Sequence, residues 1–113
     1  MTDTQSTSSA FGGGAGSSPT ETEKTVTGNV IRYRFTCGTS PGADQDIVTF
    51  TINAASQFTN FCYASVSPAN AATASEITKF YPSTTSAGTL TITANGTLTA
   101  GAQYALHITM HGY

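Results

Sequence analysis

From residue 25 onward, apolar and polar side chains alternate in short runs. In TVTGNVIRYRFTC, Ile31, Tyr33, Phe35 and Cys37 fall on one side and Arg32, Arg34 and Thr36 on the other. That is the period-two pattern of a half-buried strand. GTSPGADQD then gathers turn formers. DIVTFTINA reads as a second strand, with Val48, Phe50 and Ile52 opposite Ile47, Thr49 and Thr51. SQFTNFCYASVSP is aromatic and β-branched up to Pro68, PANAATASEI reads as a loop, and ITKFYPS reads as a short strand stopped by Pro82. Leu90 and Ile92 alternate with Thr89, Thr91 and Thr93 before a turn at Asn95-Gly96. In the last strand Tyr104, Leu106, Ile108 and Met110 alternate with His107, Thr109 and His111. No stretch carries a 3.6-residue apolar period. Short strands parted by turn signals predict an all-β chain, a small antiparallel β-sandwich of jelly-roll or Ig-like type over residues 25–113.

Residues 1–24 break this pattern. SSAFGGGAGSSPT offers Phe11 as its only large apolar side chain, too little to hold itself in place by burial. We read 1–24 as an extended N-terminal arm that orders on a partner. Phe11 would be a pocket anchor, Gly12, Gly13 and Gly14 would permit close backbone approach, and Pro19 belongs to the same partner-binding stretch.

Composition sharpens this picture. Of 113 residues only 9% are charged, against roughly 25% in an ordinary soluble domain. So weakly charged a surface favours association, and the chain reads as a subunit, with a homo-oligomer (dimer or trimer) expected. The net charge is −2, and Lys24, Arg32, Arg34 and Lys79 are the only fixed cations. Four scattered cations make no nucleic-acid patch. No apolar run approaches the roughly 18 residues of a membrane span, and the first residues lack the cationic and apolar segments of a secretory signal. Synthesis in a cytoplasm, without nucleic-acid or membrane partners, is the expectation.

Candidate chemistry is sparse. Cys37 and Cys62 lack metal-site spacing and read as two buried free thiols, with an inter-sheet disulfide as the alternative. His107 and His111 share a strand face but stand about 13 Å apart, too far to share a metal within one chain. Asp44 and Asp46 alternate as Ca²⁺ ligands do, yet lack the remaining oxygens and read as turn formers. No serine lies in GxSxG, and GGGAG lacks the Lys-Ser/Thr of a phosphate loop. Asn95-Gly96-Thr97 fits a glycosylation acceptor, but a tight turn explains it. No enzyme, cofactor or metal site is expected.

The most informative local motif is LTAGAQYALHI, carried by Leu98, Gly101, Tyr104, Leu106 and Ile108. It resembles the corner between strands in fibronectin type III and related sandwiches, where a Tyr hydroxyl bonds upstream backbone. In overall style the Thr/Ala/Gly/Ser-rich, weakly charged chain with its polar N-terminal lead resembles structural proteins of tailed bacteriophages. Within that class it looks like a small capsid decoration (cement) protein. The resemblance implies a virion protein on the capsid surface, made in the host cytoplasm, whose partner is the major capsid protein. It would clamp neighbouring capsid subunits through its sandwich and arm. The alternative is a receptor-binding tail fibre or spike tip recognising a host surface glycan.

Overall fold

The computed structural model describes residues 7–27, 29–52, 61–86 and 89–112. Eight strands follow in chain order: β1 (Thr7–Phe11), β2 (Thr20–Thr27), β3 (Val30–Thr36), β4 (Asp46–Ile52), β5 (Phe61–Pro68), β6 (Phe80–Ser86), β7 (Thr89–Ala94) and β8 (Gln103–Gly112). Sheet I has the order β1-β4-β7-β6 and sheet II the order β2-β3-β8-β5, and every pairing is antiparallel. The fold is therefore a small antiparallel β-sandwich.

Alternation builds the core. Ile31, Tyr33 and Phe35 of β3, Leu90 and Ile92 of β7, and Tyr104, Leu106, Ile108 and Met110 of β8 all point between the sheets and are buried. An aromatic spine runs through them, from Phe11 to Phe35 (5.7 Å between ring centres), to Tyr104 (5.5 Å) and to Phe80 (5.2 Å). Tyr33 meets Phe50 edge to face at 4.9 Å, in the arrangement that ring quadrupoles favour.

Four local expectations need correction. The stretch read as an arm for a neighbouring subunit is, from Thr7 onward, folded onto its own chain. β1 pairs with β4 and β2 pairs with β3, each as a sheet edge; residues 1–6 lie outside the described residues. Backbone hydrogen bonds supply the hold that the side chains of SSAFGGGAGSSPT lack. Secondly, PANAATASEI is more than a loop. Asn70 caps a one-turn helix α1 (Ala71–Ser75), its side chain accepting from the Thr73 N–H at 2.9 Å. Thirdly, Pro82 does not stop its strand: β6 is an edge and shifts register between Pro82 and Thr84, where a missing N–H costs nothing. Finally, Ile47 joins Val48 in the core, because a register shift between Asp46 and Val48 turns both inward.

The four edge strands are unequally protected. β2 carries Glu21, Glu23 and Lys24 and a register shift, β5 a register shift and Pro68, and β6 Pro82 with its own shift. β1, TSSAF, has no charge, no proline and no irregularity. Charges, prolines and bulges are what usually keep an edge from accepting a foreign strand.

Candidate functional site

Three places gather polar or unusual groups. The first is the N-terminal segment. Phe11 is half-buried and packs on Tyr33 and Phe35 of its own chain. Gly12, Gly13 and Gly14 enter a 3₁₀ turn (Gly13–Ala15) pressed against the segment just before β4. The Gly12 N–H donates to the Ile47 carbonyl at 2.9 Å. A Cβ on Gly12 or Gly14 would collide with the backbone at Gln45 and Asp46, and one on Gly13 with the Gln45 side chain. The glycines therefore serve close approach, but to their own chain. Ala15 beyond them is fully buried, and its carbonyl accepts from the Gly38 N–H and from the Cys37 thiol at 3.4 Å. Cys37 is thus a free thiol; Cys62's side chain lies outside the described ones. Burial, and the negative charge of Glu76, push the Cys37 thiol up, which makes it a poor nucleophile at neutral pH. Pro19 lies between Ser18, whose φ is +56°, and the start of β2.

Beneath β1 sits Tyr33, 1% exposed, with a buried hydroxyl that stands beside Glu21 and Ser9 without closing a full hydrogen bond to either. Burial first, and then the Glu21 carboxylate, push it far above the ordinary phenol range. Across the open side, Ser9 of β1 donates to Glu21, and Lys24 reaches Ser9 at 3.3 Å and Glu21 at 3.8 Å.

The second place is the corner before β8. The buried Tyr104 hydroxyl accepts from the Thr99 N–H at 2.9 Å and donates to Glu76 Oε2 at 2.9 Å. Leu98 is buried beside it, and Gly101 turns the chain with φ +77°. Glu76 also receives Lys79 at 3.0 Å and Thr99 Oγ1 at 3.1 Å, while Lys79 donates to the Thr97 carbonyl at 2.6 Å. Burial alone would raise the Glu76 carboxyl, but Lys79, Tyr104 and Thr99 hold it below the usual carboxylate range. All of its partners are donors from the surrounding chain, so this carboxylate braces the corner instead of reaching for a proton. Sequence reasoning missed Glu76, which looked like a loop acid; the Asn70 capping signal before an Ala-rich run could have located its turn.

The third place is the pair of outer faces. On sheet II the register aligns Thr25, Arg32, His107 and Ser67 in one row, and Arg34 beside it forms a 3.8 Å ion pair with Glu23. His111 lies further along β8, near Ser65 Oγ at 3.3 Å. Both arginines and both histidines therefore share one face. The outer face of sheet I is different: Ser8, Ala10, Thr49, Thr51, Thr89, Thr91 and Thr93 fill it, and Asp46 at its margin is the single charge among the described residues. The hydroxyls bond one another, Thr49 with Thr91 at 3.2 Å, Thr93 with Ser83, and Thr93 donating to Asp46 at 3.1 Å. Tyr81, the exposed large apolar side chain among the described residues at 44%, stands opposite Thr93 on the β6 edge.

Asp44 and Asp46 do not converge on a site. Asp44 exchanges bonds with the Gly96 turn, its carboxylate accepting from the Gly96 N–H at 2.8 Å, and Asp46 serves Thr93. Among the described residues no three His, Cys, Asp or Glu side chains gather as metal ligands would. Among them, too, no helix is long and apolar enough to cross a membrane. Compared with known proteins, the chain matches no family model, no curated protein and no solved structure.

Proposed function

We propose that this chain is a structural subunit of a virion, a small decoration protein of the tailed-bacteriophage type. It sits on the outside of the capsid and stabilises it by bridging neighbouring subunits of the major capsid protein. The observation that carries the reading is the outer face of sheet I. Charged groups are depleted from the centres of protein interfaces, because an ion stripped of water needs a matched partner. A face of mutually bonded threonines can lie against another protein without stripping any ion. Of the groups elsewhere with perturbed ionisation, Glu76, Tyr104 and Cys37 are engaged within the fold and Tyr33 is buried in the core, which supports a structural role over a catalytic one. Arm clamping as read from residues 1–24 is narrowed, since residues 7–11 and 20–24 belong to strands of the body.

Co-sedimentation with empty expanded shells tests this reading. The wild type should reach stoichiometric occupancy, and Thr49→Lys with Thr51→Lys should lower it at least tenfold by burying two unpaired ammonium groups. Unchanged occupancy of the lysine variant would remove the sheet I face from the interface. Failure of the wild type to bind would remove the capsid.

One observation favours the alternative, a receptor-binding tip. Tyr81 and Asp46 stand exposed on either side of the buried Thr93, a ring and a carboxylate that suit the apolar face and hydroxyls of a sugar. Retention on host polysaccharide that Tyr81→Ala abolishes, with no binding to shells, would favour this reading.

A further inference from the structure

We infer that the N-terminal strand is an exchangeable element. Residues 7–17 of one copy take the place of the same residues on a second copy, giving a strand-exchanged homodimer.

Four features point this way. Residues 7–17 form a separable unit. Among the described residues β1 pairs only with β4, Gly12 bonds Ile47, Ala15 bonds the β3–β4 connection, Ser17 bridges Thr39 in both directions, and the Ser9 side chain bonds Glu21 and Lys24 of β2. Every one of these contacts is made to residues beyond Ser18, so each can be formed identically in trans. The unit, TSSAFGGGAGS, carries no charge, and it can leave one body and enter another without desolvating an ion. Because β1 is a sheet edge, its departure splits no sheet. It does uncover the β4 edge and the seats of Phe11 and Ala15, which only the same segment fills.

The fourth feature is the hinge. Between β1 and β2 the chain passes from sheet I to sheet II through Ser18 at φ +56°. A residue with a Cβ is disfavoured there, and the residue before a proline is pushed toward extended backbone. Ser18 precedes Pro19 and is held against both preferences. Straightening Ser18 relieves them and carries β1 away from its own body as a continuation of β2. A strained, short connection with an identical vacant seat on a second copy is the usual setting for exchange. The exchanged pair gives a form to the homo-oligomer expected from composition, and the test below uses no shells, so its failure would leave the capsid reading standing.

Two single variants test the exchange. Ala10 and Thr49 are register partners on β1 and β4, on the outer face of sheet I. Ala10→Cys chains and Thr49→Cys chains are unfolded, mixed in equal amounts, refolded at high concentration and oxidised. Exchange yields a covalent heterodimer whose link, located by peptide mass spectrometry, joins the two engineered thiols. A chain carrying both substitutions serves as the folding control, closing internally when dilute. Ser18→Gly, which relieves the left-handed strain, should lower the fraction of linked heterodimer about tenfold. The inference is overturned if the mixture gives no such link while the double variant closes internally. It is equally overturned if Ala10→Cys chains link only to one another, which would mean edge-to-edge docking of intact sandwiches.

Discussion

The sandwich is closed twice, by opposite means. At the β8 corner, a buried tyrosine hydroxyl has both a donor and an acceptor, and the accepting carboxylate is itself gripped by Lys79 and Thr99. At the N-terminal side, another buried tyrosine hydroxyl closes neither bond, and the covering strand hangs on backbone bonds, one ring, the exposed Ser9–Glu21–Lys24 contacts and a strained hinge. The same residue type at similar depth is therefore an asset at one closure and a liability at the other. A buried polar group stabilises only when it is satisfied. The fold is therefore fixed at the β8 corner and able to open at its N-terminal side.

The largest expected effect comes from removing the ring at the fixed end. Tyr104→Ala deletes a fully buried side chain between Phe35 and Phe80 and should cost about 3–5 kcal/mol in denaturant unfolding. Phe11→Ala, at the loose end and only half-buried, should cost about 2 kcal/mol, below the usual range for a fully buried ring. An equal or larger loss at Phe11 would break the contrast. The sharpest pair comes next. Tyr104→Phe leaves Glu76 and the Thr99 N–H short of a partner and should cost about 1–2 kcal/mol. Tyr33→Phe removes an unsatisfied hydroxyl and should be neutral or stabilising by up to about 1 kcal/mol. Two tyrosine-to-phenylalanine changes of the same sign would overturn the comparison.

The smallest effect is in the pH dependence. Glu76 is held below the usual carboxylate range when folded, so it contributes stability above its unfolded value. That contribution fades as pH falls through the depressed folded value. Glu76→Gln should therefore flatten the acid limb of a stability–pH curve. The buried Tyr33, Tyr104 and Cys37 have the opposite sense. Their raised values favour the neutral groups, and stability should fall as pH climbs past their unfolded values. Thermal melts across pH in Glu76→Gln and wild type would separate the two limbs.

Much of the fold was legible because alternation is a local property. The inward and outward faces of β3, β7 and β8 can be written down from residues such as Tyr33 and Arg34 or Leu106 and His107 alone. Beyond reach were features that depend on distant chain. β1 contains one apolar anchor and no useful alternation; it is a strand because β4 offers it backbone partners, and pattern reasoning has no term for an invitation of that kind. The inward turn of Ile47 arises from a register shift against β7. Glu76 gains its role from Tyr104 and Thr99, more than twenty residues away. The N-terminal glycines lie close against Gln45 and Asp46 of their own chain, a neighbour that composition cannot name.

The uneven guarding of the edges sets how many hands each molecule has. In the vocabulary of step-growth chemistry, three of the four edges are end-capped and one, β1, is left reactive. Exchange moves β1 from one β4 to another and leaves its outer edge as bare as before. A lone molecule is therefore monofunctional, and molecules that dock by that edge can only pair, whereas an exchanged pair is bifunctional and its docking could lengthen into a chain.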